Sequence, residues 1–243
     1  MAKRIAFAFS VVLLTSSTAF GQSLKWTEGY IFAGANAGVQ LGSARDEATA
    51  FTFTLYGEPA TVNVARSVKS GGLFDFTAGS QIRGNFGAAG TFFARSADSD
   101  GAVTATVPHP VFFDQARTVS STITAMGHSE RWIAIQGVYL LRIDEKTDVM
   151  FLAGPSLVSV KHMIANAASV TEGATPTVAM TTSELSKSVW GYVLAADVRR
   201  MITKTVGVGA FARYAGSSAN MSPDLKLTIG GFQVGAGIRV QFQ

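Results

Sequence analysis

The sequence predicts an all-β fold: a closed antiparallel up-and-down transmembrane β-barrel of eight strands, preceded by a signal peptide. Three observations predict it. The 243 residues are 47% hydrophobic and only 15% charged, yet after residue 22 no apolar run reaches the roughly 18 residues of a helical span. Apolar residues recur instead with period two, the signature of strands with one buried or lipid-facing side. The connections between these segments alternate long and short along the chain.

Residues 1–21 read as an export signal. Lys3 and Arg4 form a positive start, Ile5–Leu14 is an uncharged and mostly apolar stretch, and Ala19-Phe20-Gly21 sets small residues at −3 and −1 of a cut before Gln22. Ten residues are too few to span a bilayer core of about 30 Å as a helix. Residues 22–243 then form one barrel domain. Without Lys3 and Arg4 the chain keeps 18 basic and 16 acidic residues, a net charge of +2, which gives no case for a nucleic-acid partner. The absence of Cys excludes disulfides, thiolate metal sites and a lipidated N-terminal Cys.

The first strand covers 29–42. Ile31, Ala33, Ala35, Ala37, Val39 and Leu41 share one side; Gly34, Asn36, Gly38 and Gln40 lie on the other. The last, 227–243, repeats the pattern, with Phe232, Val234, Ala236, Ile238, Val240 and Phe242 opposite glycines, Gln233, Arg239 and Gln241. A polar side rich in Gly and amides, without a coat of Lys and Glu, suits the crowded interior of a small barrel whose apolar side meets lipid. Between them lie strands at about 72–83, 86–96, 129–143, 148–160, 185–198 and 205–214. The sides of 86–96 and 148–160 stay open, the latter being apolar on both faces.

Long connections fall at 43–70, 97–127, 161–184 and 215–226; short ones at 84–85, 144–147 and 199–204. Such alternation fits a barrel in a bacterial outer membrane, short turns facing the periplasm and long loops outside. A soluble lipocalin-like barrel has no reason to segregate its loops. Within 43–70, Phe51–Leu55, Gly57-Glu58-Pro59 and Val62–Val64 read as strand, turn and strand, a hairpin standing above the membrane. Counted as membrane strands, this hairpin gives a ten-strand alternative.

Phe151-Leu152-Ala153-Gly154-Pro155-Ser156-Leu157, the run 207–214 and the closing Gly237-Ile238-Arg239-Val240-Gln241-Phe242 resemble the small outer-membrane β-barrels of Gram-negative bacteria. That family includes the membrane domain of outer-membrane protein A, outer-membrane protein X and opacity-type surface proteins. The resemblance covers about 24–243. It departs at the end, where the family's terminal aromatic is here the penultimate Phe242. It implies insertion by the outer-membrane assembly machinery, a lipid bilayer and lipopolysaccharide as surroundings, a monomer, and a surface ligand held by the loops. It implies no one activity. A surface or envelope role, a small porin-like channel and a lipid-modifying enzyme are all functions of such barrels.

Candidate chemistry is sparse, and no catalytic, cofactor-binding or metal-ligating residue is expected. His128-Ser129-Glu130 has the residue types of a hydrolase trio. On a strand, however, Ser129 points away from the other two, so Ser and His do not meet; the expected place is a polar strand end near the surface. His109 and His162 fall in separate loops, a poor metal set. Asp98-Ser99-Asp100-Gly101 lacks the remaining ligands of a calcium loop and reads as a surface turn. The glycines at 207, 209, 235 and 237 relieve crowding inside the barrel. Asp75, Asp197, Arg213 and Arg239 all take interior phases, with Arg83 and Arg142 toward the periplasmic end. Buried charges must pair, so these predict a plug of salt bridges; a narrow gated pore is the competing reading. Trp132, Trp190, Tyr139, Tyr192, Tyr214 and Phe232 are candidates for interfacial girdles.

Overall fold

A computed structural model describes residues 31–41, 46–67, 70–173, 175–222 and 225–242. The expected signal peptide and the start of the first strand, 29–30, lie outside the described residues. Those residues form ten strands: β1 Ile31–Leu41, β2 Asp46–Leu55, β3 Glu58–Ser67, β4 Gly72–Arg83, β5 Phe86–Pro108, β6 Ala116–Arg142, β7 Thr147–Thr171, β8 Thr177–Met201, β9 Val206–Ser222 and β10 Leu225–Phe242.

Eight of them close a ring. The order runs β1-β4-β5-β6-β7-β8-β9-β10, and β10 returns to β1, every pairing antiparallel. The other two, β2 and β3, are the hairpin expected above the membrane. Its turn, Tyr56-Gly57, has φ of 53° and 83°, both positive as a two-residue primed turn requires. Among the described residues the hairpin's strand pairing with the barrel runs through Thr61–Arg66, laid along Gly101–Thr106 of β5. Eight strands therefore form the barrel, and the ten-strand count is overturned.

Period two sets which side faces in. In β1, Phe32, Asn36 and Gln40 are buried while Ile31, Val39 and Leu41 are exposed. The two open strands resolve the same way. In β5 the odd residues Ala89, Thr91, Phe93 and Arg95 point inward; in β7 the even residues Asp148, Met150, Leu152 and Val158 do. β7 is apolar on both sides because Met150 and Leu152 pack inside against Phe32, Val138 and Leu140, whereas Phe151 and Leu157 face out. Its Pro155 has no N–H to give, and the β6–β7 pairing skips there between Ala134↔Ser156 and Gly137↔Ala153 with the register unchanged.

The long loops at 97–127, 161–184 and 215–226 are a correction. Most of each is strand. Inward burial continues through Ala97, Ser99, Val103, Ala105 and Val107, with Asp98, Asp100, Thr104 and Thr106 outward. Val and Thr suit a half-buried pleat, and nothing obliges a strand to stop at the membrane edge. Among the described residues, what remains of these three stretches outside strands is 109–115, 172–173 and 175–176. Above the ring these extensions and the hairpin enclose a second apolar core of Ala60, Val62, Val64, Val103, Val119 and Val178, among others. The short turns at 84–85, 143–146 and 202–205 occupy the opposite end. In the second, Asp144 accepts the N–H groups of Lys146 and Thr147, both at 2.7 Å. These bonds, the Lys146 amide foremost, hold its carboxyl below the ordinary range.

Two glycines show how tightly the interior is filled. A Cβ at Gly209 would lie 2.9 Å from Nε of Arg239, and one at Gly34 would lie 3.1 Å from its Cδ. Gly209→Val is therefore expected to destabilise the barrel by about 1–3 kcal/mol through overpacking. Gly90→Val, at a position with nothing within 4 Å, is expected to leave it unchanged. Urea unfolding in lipid vesicles checks both, through a lowered midpoint for the first variant alone.

Candidate functional site

The outer surface comes first, because it places the barrel. Ile31, Phe76, Ile135, Tyr192, Leu194 and Ile238 stand exposed around it, members of a belt of large apolar residues. Above that belt the outward residues turn polar. Arg131, Ser159 and Ser188 lie side by side in register on β6, β7 and β8, with Ser129 and Lys161 next above. Trp190, 75% exposed, stands just below this border, as an interfacial anchor would. Closed, apolar outside and charged within, the barrel is a membrane-spanning one, of the strand-built kind that bacterial outer membranes hold.

The interior charges pair, as expected from their phases. Arg239 on β10 donates from Nε and Nη2 to Asp197 on β8, at 3.1 and 2.5 Å. Its Nη1 donates to the Asn36 carbonyl at 2.6 Å, and Asn36 donates onward to Asp75 at 2.5 Å. Asp75 also accepts Arg213 of β9 at 2.5 Å. Arg213 continues to Gln233 at 2.9 Å, and Gln233 to Gln40 at 3.2 Å. One hydrogen-bonded chain thus ties together β1, β4, β8, β9 and β10. The guanidinium of Arg213 lies 3.7 Å from the centre of the Phe93 ring, which shields it on one side. The void left among these groups is about 20 Å³, the room of one or two waters.

A third pair escaped the sequence reading. Arg199 donates twice to Asp148, at 2.6 Å each, with both side chains buried. Asp148 lies on the strand whose sides stayed open, and Arg199 was assigned to a turn. Arg83 and Arg142 lie at the short-turn end as expected, but exposed at the rim rather than among the interior charges.

A second polar layer lies at the mouth of the ring. His128 and Glu130 share the inner side of β6, and Ser129 turns the other way, so these three do not come together as nucleophile and base. The expected surface position is corrected: His128 is 6% exposed and Glu130 1%. Inward phase wins over polarity because Glu130 is fully partnered, accepting from Arg95 at 3.0 Å and Trp132 Nε1 at 3.0 Å. His162, assigned to a loop, sits buried on β7 with its Nδ1 3.1 Å from Nδ1 of His128. Trp132 is no girdle residue; it is wholly buried and stacked on Phe93. Asp98–Gly101 is not a turn but part of β5, at a bulge where Asp100 accepts the amide of Ala125, whose φ is 54°.

Two features mark the far end of the head, the part of the molecule that the strand extensions and the hairpin form above the ring. Glu172 accepts Tyr56 of the hairpin turn at 2.9 Å and also takes a hydrogen bond from Arg117. The bond from Arg117 holds the Glu172 carboxyl below its ordinary range, and the bond to Glu172 pushes the Tyr56 phenol up. In the loop 109–115, His109 Nδ1 accepts the amides of Val111 and Phe112 at 3.1 and 3.2 Å. The loop so braced presents Val111, Phe112 and Phe113 at 77%, 55% and 73% exposure.

The interior pairs predict a non-additive mutant cycle. Asp197→Leu or Arg239→Leu alone leaves an uncompensated buried charge and is expected to cost about 3–5 kcal/mol. The double variant is expected to cost less than either single one, read by urea unfolding in vesicles. For Glu172 the depressed carboxyl gives a sign. The clasp holds above and through the ordinary carboxylate range and is lost only as pH falls through the lowered value. Carboxyl carbon NMR is expected to place its midpoint below that of free glutamate, and Arg117→Gln to move it up.

No family model matches the chain, and no curated protein is similar to it in sequence. Solved structures it is similar to include small outer-membrane β-barrel proteins. Neisserial surface protein A matches at 14% identity and TM-score 0.48, over 88% of this chain and 97% of that one. Outer membrane protein OprG of Pseudomonas aeruginosa matches at 8% and 0.47, over 89% and 97%. The attachment invasion locus protein Ail of Yersinia pestis, in complex with the heparin analogue sucrose octasulfate, matches at 15% and 0.38, over 88% and 99%.

Proposed function

We propose that the protein is a non-enzymatic surface protein of the bacterial outer membrane, with a plugged barrel as anchor and the head as its interacting part. The braced tip carries this reading. The core above the ring gathers the inward apolar residues of β3, β5, β6, β7 and β8, but Val111, Phe112 and Phe113 face water side by side in the loop between β5 and β6. Contiguous exposed apolar side chains mark interaction sites. The paired charges and the small void in the lumen support an anchor over a channel. A hydrolase is disfavoured because the ring nitrogens of His128 face Glu130 and His162 rather than Ser129.

Two measurements test the proposal. In planar bilayers the refolded protein is expected to pass no steady ion current; discrete open channels would favour the porin-like reading. Cells displaying the protein are expected to adhere to cultured epithelial cells above the vector background. Val111→Ser/Phe112→Ser/Phe113→Ser is expected to remove most of that adhesion with surface expression unchanged. Equal adhesion by both would contradict the role given to the tip.

A further inference from the structure

We infer that the outer edge of β2 is a self-pairing edge: β2 of a second copy adds to it antiparallel, and the pair joins barrels that stand in two facing membranes.

β2 ends the sheet order, and among the described residues its one strand partner is β3. The hairpin decides which backbone groups it leaves open. A two-residue turn closes on a hydrogen-bonded pair, here Leu55↔Glu58. Bonded and non-bonded pairs alternate from there, so Phe53, Phe51 and Thr49 bond to β3. Thr54, Thr52, Ala50 and Ala48 turn their N–H and C=O groups to the other edge. Pro59, opposite Thr54, falls on a non-bonded pair, where its missing N–H costs the ladder nothing.

That edge lacks the usual protection. Exposed edges are blunted by charges, Pro or bulges. From Ala48 to Leu55 there is no charged residue, no Pro and no shift of register. The other strand extensions of the head carry such devices. Upper β6 has Arg117 and a bulge, upper β7 a register shift, and upper β8 Glu184 and Lys187. The core is also unfinished under β2. On β3, Ala60 and Val62 are wholly buried, whereas Phe51, Phe53 and Leu55 on the inner side of β2 stay half-buried.

An edge of this kind takes an extended chain, and β2 is its own complement. With Phe51 opposite Phe51 of the second copy, Ala50 meets the second copy's Thr52 and Ala48 its Thr54. These pairs and their symmetry mates each exchange two main-chain bonds. The pairing covers the uncharged stretch and stops short of Asp46 and Glu47. The outward side chains along it, Ala and Thr, are small enough to lie side by side, and the inner aromatic rows of the two copies become continuous.

The symmetry fixes the orientation. The two-fold axis of an antiparallel pair in one sheet is perpendicular to that sheet, so the two copies run opposite ways. β2 rises from the mouth of the ring to the turn at Tyr56-Gly57, at the far end of the head. The second barrel therefore lies beyond that end, in an opposed membrane. Two copies in one membrane do not pair this way. The contact uses the side of the head and not the tip at 111–113.

The test uses the full-length protein in lipid nanodiscs, one copy per disc, in two populations with different lipid fluorophores. Mixing wild-type discs is expected to give energy transfer between them. Thr52→Lys, at an exposed edge position, is expected to return it to the level of empty discs. Val111→Ser/Phe112→Ser/Phe113→Ser is expected to keep it. No transfer in the wild type, persistence in Thr52→Lys, or loss in the tip variant overturns the proposal. Oxidation reads the register, since the chain has no Cys. Phe51→Cys is expected to give a covalent dimer, because its Cα atoms would stand about 4.5 Å apart in a non-bonded pair. Ala48→Cys is expected to give none, its counterpart lying about 20 Å away along the strand. Should Phe51→Cys not fold, Ala50→Cys mixed with Thr52→Cys takes its place. Cross-linking at 48 and not at these positions overturns the pairing.

Discussion

The pairing of β1 with β10 is the contact on which the rest of the molecule depends. It runs without a break from Ile31↔Phe242 to Leu41↔Phe232 and joins the two ends of the sheet. Every ring strand then has two neighbours, and its backbone groups are satisfied without water, the condition for standing in hydrocarbon. Closure at eight strands also decides the interior. The enclosed space is just wide enough for side chains, so what points inward must fill it. Glycine beside arginine, as at Gly34, Gly209 and Arg239, is the local solution.

Filling the interior with ions is costly in itself. Asp75, Asp148 and Asp197 are each taken from water and each offset by an arginine from a different strand. Such pairs stabilise little relative to an apolar core of equal volume, but a broken pair is strongly destabilising. Their effect here is on alternatives. A register slip of one residue would turn Arg239 toward lipid and strand its partner. The apolar clusters around Trp132 and Phe32 leave packing to do the rest.

Much of this was legible in the sequence, for one reason: a strand's side chains alternate, so one confident phase predicts every inward residue. It placed Asp75, Asp197, Arg213 and Arg239 inside, and separated Ser129 from His128. It failed where both sides are apolar, in β7, and the Asp148–Arg199 pair was lost with it. At Trp132 the same phase holds: its even position beside the outward Ile133 and Ile135 points inward, and an indole there packs in the core and not in a girdle. Membrane length does not bound the strands: the alternation of β7 runs on into the head, and His162 lies on it rather than in a loop. That His162 meets His128 is a register fact, His128↔His162 across β6 and β7, which no local pattern contains.

The head extends the barrel's own alternation beyond the membrane, trading a lipid-facing outer side for a polar one while the inner side stays apolar. The central claim is that polarity inverts across a single layer of strands, and the absence of Cys allows it to be tested cleanly. Spin labels on single cysteines introduced in turn at 232–242 of β10, in vesicles, would report collision with dissolved oxygen and with a water-soluble nickel chelate. Even positions should show high oxygen and low nickel accessibility. Odd positions should be shielded from both. Odd positions freely open to the chelate would mean a water-filled lumen, and the reverse phase would mean a soluble barrel with its apolar side enclosed; either would contradict the account.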